Sequence, residues 1–328
     1  MRLKYEPSLD GLRALALLSV MAFHFQRNLM TGGALGVDVF FVLSGYLITK
    51  LLTTEHRETG KLNYRSFVIR RFRRLGPALL AMMAFCAVAG PKFWPNPASM
   101  AQDMIAAVTY TTNFWIQAGA KESPLSHTWS LSIEEQFYLL WPWITCWLIR
   151  LPRDKAVRTL LSVWVMVTIA RCAMTALLPP NPAPYYLIPF HATGLLLGAA
   201  LAFRPLRTER GHLALGVLVA LFIGGNATQT FAYTVAIAEI ATVLIIADPP
   251  RLLANSVVRW FGRISYGTYL WHIPLLWLLP DAGSLILFGI SLLAGALSYY
   301  FVEPWATSRP LSFPRFAMKR RQLSFDSR

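Results

Sequence analysis

The feature that most restricts this chain is the recurrence of apolar runs from one end to the other. A bilayer core about 30 Å thick takes about 20 apolar helical residues to cross. Only hydrogen-bonded helices or closed barrels satisfy their backbone there. Ten runs fit that demand, at residues 9–29, 34–52, 75–93, 129–149, 159–178, 187–203, 212–225 (a short one), 230–247, 263–280 and 283–302. The fold class is therefore all-α: a polytopic transmembrane helical bundle of about ten spans. The stretch 100–118 carries Gln102, Asp103, Thr109, Thr111, Thr112 and Asn113, and reads as an interfacial or re-entrant segment outside the count. With 55% hydrophobic and only 14% charged residues, the composition departs from that of a soluble enzyme.

Charge orients the bundle. With the N-terminus in the cytoplasm, 27 of the 31 Lys and Arg residues fall on the cytoplasmic side, leaving only Arg27, Lys92, Lys121 and Arg171 elsewhere. So lopsided a split follows the positive-inside rule and puts both termini in the cytoplasm. Counting 100–118 as a simple span would invert every later loop. The net charge of +15 then reflects topology and contact with anionic membrane lipids. No aromatic-basic module for nucleic acid is present. Residues 1–306 read as one transmembrane domain and 307–328, with Arg309, Arg315, Lys319, Arg320 and Arg321, as a basic cytoplasmic tail. The first run contains an Arg and a His and leads at once into another run, unlike a removable signal peptide. Cys86, Cys146 and Cys172 lie in apolar runs and read as isolated buried thiols, without disulfide or metal.

Two ionisable residues stand out in the first run. Arg13 and His24 are eleven residues apart; eleven helical residues turn through about 1100°, so the side chains nearly share a face, roughly 16 Å apart along the axis. Ionisable groups at such depth are costly and usually functional. Asp38, Glu134, Glu135, Arg171 and His191 fall toward the outer half with His24. An imidazole oriented by a carboxylate is the usual form of a general base. The plainer reading of Asp38, Arg171 and His191 is a set of interhelical polar clamps. On the inner side, Arg65, Arg70, Arg71, Arg73 and Arg74 crowd the entry to the third run, before Pro77. Membrane anchoring would account for two or three of them, and guanidinium forks suit phosphates. Glu303, before Pro304, sits at the inner end of the last run and is expected to pair with one of these arginines or with Arg13.

Several longer motifs go beyond composition. Leu9-Asp10-Gly11-Leu12-Arg13 with His24, the run Gly36 to Ile48 (GVDVFFVLSGYLI), Arg70 to Pro77 (RRFRRLGP), His127 to Tyr138 (HTWSLSIEEQFY), Ile264 to Pro274 (ISYGTYLWHIP) and Phe301-Val302-Glu303-Pro304 occur in that order. Together they resemble the acyltransferase-3 family over nearly the whole chain, with residues 150–255 matching only in hydropathy. The resemblance implies an inner-membrane O-acyltransferase, commonly an O-acetyltransferase. Such proteins use cytoplasmic acyl-CoA, here expected to be acetyl-CoA, as co-substrate to modify a carbohydrate or glycolipid on the far side, with no permanently bound cofactor. It implies His24 as catalytic base with Arg13 as its motif partner, and Glu135 as the acidic residue of the central motif. It places Arg71 and Arg74, with Arg70 and Arg73, in the donor site beside Glu303. Asp38, Ser44, Glu134, His127, Arg171 and His272 complete the candidates. Some members carry a fused extracytoplasmic esterase-like domain, which this chain, ending soon after the tenth run, is not expected to use for transfer.

The expected chemistry has the donor's phosphates on the inner arginines, its long arm in the bundle and the acceptor hydroxyl entering from outside, where His24 takes its proton. Arg13, Arg171 or Ser44 are candidates to stabilise the oxyanion. Direct transfer and a relay through acylated His24 are both open at this point. A transporter or flippase of lipid-linked saccharide is the alternative, since intramembrane charges also mark substrate paths. It lacks support from any internal repeat.

Overall fold

A computed structural model describes residues 5–26, 28–177, 188–225 and 231–304. The tail 307–328, together with Arg2, Lys4 and Arg27, lies outside the described residues. Among the described residues the regular structure is helical and no strand occurs. In order, the helices are α1 (Pro7–Phe25), α2 (Gly36–Thr59), α3 (Tyr64–Val88), α4 (Gly90–Phe93), α5 (Pro97–Val108), α6 (Thr112–Gln117), α7 (Trp129–Ile149), α8 (Arg153–Leu177), α9 (Ile188–Phe203), α10 (Gly211–Gly224), α11 (Phe231–Ala247), α12 (Ser256–Arg263), α13 (Ser265–Leu278) and α14 (Ser284–Leu297), the last continued by a π turn at Ser298–Val302.

Each apolar run is occupied by a helix, but several boundaries differ from expectation. α1 stops at Phe25 rather than at residue 29, because polar Gln26 and Asn28 interrupt the run. His24 therefore stands in its last turn. α3 begins eleven residues before the expected 75, because Asn63 caps it by accepting the Ser66 N–H at 2.9 Å. Gly60 closes α2 in the left-handed conformation at φ 68°, which glycine adopts without steric cost. The arginines of α3 thus lie inside a helix rather than ahead of it. The stretch 100–118 is not one continuous span either: α5 and α6 are separated by a break at Tyr110, whose φ of 54° is the one positive value outside glycine among the described residues.

Four helical stretches are long and apolar enough to cross a membrane, Pro7–Phe25, Gly33–Thr59, Arg153–Leu177 and Ser284–Val302. α8 presents Leu161, Val165, Met166 and Ile169 to the outside, and α14 presents Leu285, Ile286 and Leu293. Apolar faces of that extent are stable against lipid rather than water, so the protein is a multi-pass membrane protein.

α1 and α2 run between two cores. Leu17, Val20 and Met21 meet Phe41, Met82 and Trp141 on one side, while Leu12 and Ala16 meet Val39, Leu218, Phe222 and Ala238 on the other. The most extensive helix pairing is α2 on α9. It depends on small residues: a Cβ on Gly45 would lie 2.0 Å from the Leu195 carbonyl oxygen, and one on Gly198 2.0 Å from that of Val42. Close backbone approach of this kind is how helices associate in lipid, where burial of apolar area supplies little. Buried Trp141 ties α7 to α2 through its indole N–H, 2.8 Å from the Thr49 hydroxyl.

Candidate functional site

Both ends of α1 carry chemistry. Toward its start, Arg13 is 3.8 Å from Asp10 one turn earlier. Asp10 also accepts the Tyr5 hydroxyl at 2.7 Å and lies 3.8 Å from Arg263 of α12. Beyond Asp10, Arg13 faces Glu134 of α7 and Arg71 of α3. Arg71 lies 3.5 Å from Glu135 and stacks over the Tyr138 ring at 3.8 Å from its centroid. Glu134 accepts the Ser44 hydroxyl at 2.5 Å. Arg74, one turn along α3, faces Arg13, Arg71 and Glu303. It is enclosed by the bundle yet keeps an accessible side chain, as a residue facing an internal cleft would. Three cations, Arg13, Arg71 and Arg74, thus converge with three carboxylates, Glu134, Glu135 and Glu303. Opposite charges at one depth offset each other's cost in a bundle. An arriving polyanion would find arginine donors already aligned.

At the far end of α1 the His24 side chain is accessible. Its Nδ1 is 2.9 Å from the Val20 carbonyl oxygen. A carbonyl only accepts, so Nδ1 carries the hydrogen and Nε2 the lone pair, an assignment that follows from the bonding pattern. Two further imidazoles close in. His272 of α13 stands 5.1 Å from His24 between ring centroids, and His127 stands 5.4 Å from His272. His127 belongs to a 3-10 turn, Ser126–Thr128, fastened to α13: its Nε2 is 3.1 Å from the Leu270 carbonyl, and its own carbonyl accepts the Tyr269 hydroxyl at 3.0 Å. Among the described residues no group of His, Cys, Asp or Glu is arranged to hold a metal ion.

A third polar cluster lies elsewhere. His191 of α9 bonds Asp38 of α2 at 2.9 Å, both being essentially inaccessible. Buried Arg171 of α8 donates to the Phe190 carbonyl and the Thr193 hydroxyl, and Thr193 with Trp164 donates to Glu239 of α11. These bonds join α8, α9 and α11 as interhelical clamps, the plainer of the two readings of Arg171, Asp38 and His191.

The candidates thus separate. Glu134 and Glu135 were expected level with His24, but they lie among the arginines. The reason is local: the turn before α7 presses His127 against α13, so His127 takes the level of His24, and Glu134 follows seven residues later. Asp38 engages His191, so that carboxylate orients the His191 imidazole. The four arginines of α3 also divide. Arg71 and Arg74 share the inner face, Arg70 turns away to Glu55 at 3.1 Å, and Arg73 is half-buried. Glu303 faces Arg74, one of the partners expected for it. Ser44 is committed to Glu134. Sequence reasoning missed Asp10 as the partner of Arg13, Tyr138 beneath Arg71, and Glu239. A lone carboxylate inside the run 230–247 was itself a signal for Glu239.

Comparison with known proteins points one way. A family described as an acyltransferase domain matches residues 6–308. The chain is similar to the peptidoglycan O-acetyltransferase OatA of Listeria monocytogenes, 36% identical over 83% of this chain and 50% of that protein. It is also similar to the putative peptidoglycan O-acetyltransferase YrhL of Bacillus subtilis, 32% identical over 95% of this chain and 56% of that protein. A putative O-acetyltransferase of Staphylococcus aureus is 32% identical over 92% of this chain and 57% of its own length. The chain spans about half the length of these curated relatives. No solved structure matches it.

Proposed function

The chain belongs to this acyltransferase family of the membrane, and on that premise we propose that it moves an acetyl group from cytoplasmic acetyl-CoA to a hydroxyl of a cell-wall glycan, across ten spans with both termini in the cytoplasm of a bacterial inner membrane. The observation that carries this reading is α1 itself. One rigid helix delivers Arg13 to the Arg71–Arg74 cleft and, roughly 16 Å further along nearly the same face, an accessible imidazole whose tautomer is set by Val20. A donor with several phosphates and a long thioester arm fits both ends at once: guanidinium forks hold phosphate oxygens bidentately. The names of the relatives make peptidoglycan the first acceptor to test.

In this reaction acyl-CoA is a co-substrate. Its phosphates exchange for the carboxylates now facing Arg71 and Arg74. The acceptor hydroxyl approaches His24, which removes its proton through Nε2 as the oxygen attacks the thioester carbonyl. Arg13 is too far along α1 to meet that oxyanion and serves the donor. Arg171 is occupied by Phe190 and Thr193, which leaves it a structural part. Direct transfer needs no covalent enzyme intermediate and is the simpler course.

The test is reconstitution in vesicles with labelled acetyl-CoA and peptidoglycan fragments. His24→Ala should abolish labelling of the glycan while the protein stays inserted and folded, since loss of a positioned base costs on the order of 10²–10⁴ in rate. Glycan labelling at the wild-type rate by this variant would refute the assignment of His24.

A further inference from the structure

The break between α5 and α6 stands apart from the rest of the backbone. Tyr110 holds φ at 54° there, a region that glycine adopts freely and bulky residues rarely. Such outliers persist only where their surroundings hold them, and they gather at binding and catalytic sites. Here the holding is done by α7. Gln136 donates through Nε2 to the Tyr110 carbonyl at 2.7 Å and to the Asn113 amide oxygen at 3.0 Å. The Thr112 hydroxyl meets that of Thr128 at 2.8 Å, and the Thr112 N–H is donated to the Ser132 hydroxyl at 3.2 Å. Thr128, Ser132 and Gln136 lie four residues apart, so they form one stripe down α7, about 12 Å long. The chain from Thr112 back to Tyr110 therefore follows α7 from the level of His127 to that of Glu135.

That course brings the Tyr110 side chain to the arginines. It faces Arg71 and Glu135, with Tyr266 of α13 beside it. The other tyrosines around Arg71 are engaged: Tyr138 is buried beneath the guanidinium, and Tyr266 donates its hydroxyl to the Leu75 carbonyl at 2.8 Å. Tyr110 is partly accessible, and its hydrogen bonds among the described residues are those of its backbone. A phenol hydroxyl able to donate and accept is thus left facing the cleft. Glycine would satisfy this backbone more readily; what tyrosine adds is a ring and a hydroxyl at the donor site.

We infer that Tyr110 is a donor-binding residue whose hydroxyl donates a hydrogen bond to the amide-bearing arm of acyl-CoA where the arm leaves the Arg71 cleft for His24. The inference rests on the proposed acyl transfer. The arm has to cover the interval between the arginines and His24, and the chain from Tyr110 to Thr112 covers the corresponding interval along α7. The amide carbonyls of the arm leave water as they enter the bundle, and a buried acceptor without a donor is costly. Phosphates occupy the guanidinium groups, so the phenol supplies the neutral donor that the arm requires.

The experiment measures equilibrium binding to the purified full chain in detergent, with separate probes for the two halves of the donor. Phosphopantetheine carries the arm without the nucleotide, and phosphoadenosine diphosphate carries the phosphates without the arm. Tyr110→Phe should weaken CoA and phosphopantetheine by about fivefold each, the worth of one neutral hydrogen bond. It should leave phosphoadenosine diphosphate as in the wild type. Arg71→Ala should weaken CoA and phosphoadenosine diphosphate, since it removes a phosphate contact. Because the Tyr110 hydroxyl bonds no other described residue, Tyr110→Phe should melt with the wild type. Unchanged CoA binding by the folded Phe variant overturns the inference. So does an equal loss for the armless nucleotide, or a melting temperature well below wild type, which would make the hydroxyl part of the fold. Wild-type protein that binds neither CoA nor phosphoadenosine diphosphate overturns instead the reading on which the inference rests.

Discussion

Arg71 is held by two partners, and a double-variant cycle can separate its tasks. Its guanidinium is 3.5 Å from Glu135, with both side chains about one-fifth accessible, and 3.8 Å above the Tyr138 ring. At an effective dielectric of about 20, a charge pair at that separation attracts by roughly 5 kcal/mol before desolvation is subtracted. Cation–π contact adds about 1–2 kcal/mol where water is excluded. Removing the cation alone strands Glu135, which for buried pairs costs about 3–5 kcal/mol. Arg71→Ala should therefore melt well below wild type, and Arg71→Ala with Glu135→Gln should regain most of the difference, with a coupling of about 1–3 kcal/mol. Donor binding should follow a different pattern. Loss of charge-assisted phosphate contacts worth about 1.5–3 kcal/mol raises the KM for acetyl-CoA by roughly 10- to 100-fold, and neutralising Glu135 does not restore those contacts. Arg70→Ala is the control: its partner is Glu55, outside the cleft, so donor KM should stay within about twofold. The assays are thermal unfolding in detergent and steady-state kinetics with acetyl-CoA varied. If the Arg71→Ala, Glu135→Gln protein recovered wild-type KM, Arg71 would serve only to neutralise Glu135, and phosphate recognition by α3 would be refuted.

Gly198→Ala should destabilise the protein by about 1–3 kcal/mol, the usual cost of overpacking, because the new methyl lies 2.0 Å from the Val42 carbonyl oxygen; an unchanged melting temperature would show that α2 and α9 do not cross so closely. In a cysteine-free background, cysteines at Lys121 and Lys92 should react with an impermeant thiol reagent in intact cells, and those at Arg153 and Arg207 only after lysis. Labelling of position 153 but not 121 in intact cells would invert the central helices.

The helices were legible in the sequence because lipid imposes one rule everywhere: apolar side chains over a fixed length. The same rule explains why Glu239 and Arg171 stood in apolar runs that still fold as helices, since their charges are met by neighbours rather than by lipid. The site was less legible, because it depends on rotation and depth between helices that no single run encodes. Arg71 and Arg70 are adjacent in sequence, yet they face opposite partners, which their helix decides and the arginine count does not. Where His127 would lie relative to His24 turned on a short 3-10 turn docking on α13, and hydropathy carries no trace of that. Tyr110 gave no signal either: its left-handed backbone is a form that bulky residues seldom adopt.

The spacing of Arg13 and His24 makes α1 a ruler. Because a helix neither stretches nor untwists readily, the distance between Arg13 and the His24 imidazole, roughly 16 Å, is fixed by a count of residues. On the proposed reading, a donor anchored at the arginines must carry its acyl carbon that far from its charged group. A short acyl phosphate bound in the same cleft would leave its carbonyl stranded well before His24, however tightly it was held. Inserting one residue between them would lengthen the gauge by only about 1.5 Å but swing the imidazole by about 100° off the face. On the proposed reading, selection against the wrong donor is built into a length and a phase of one helix.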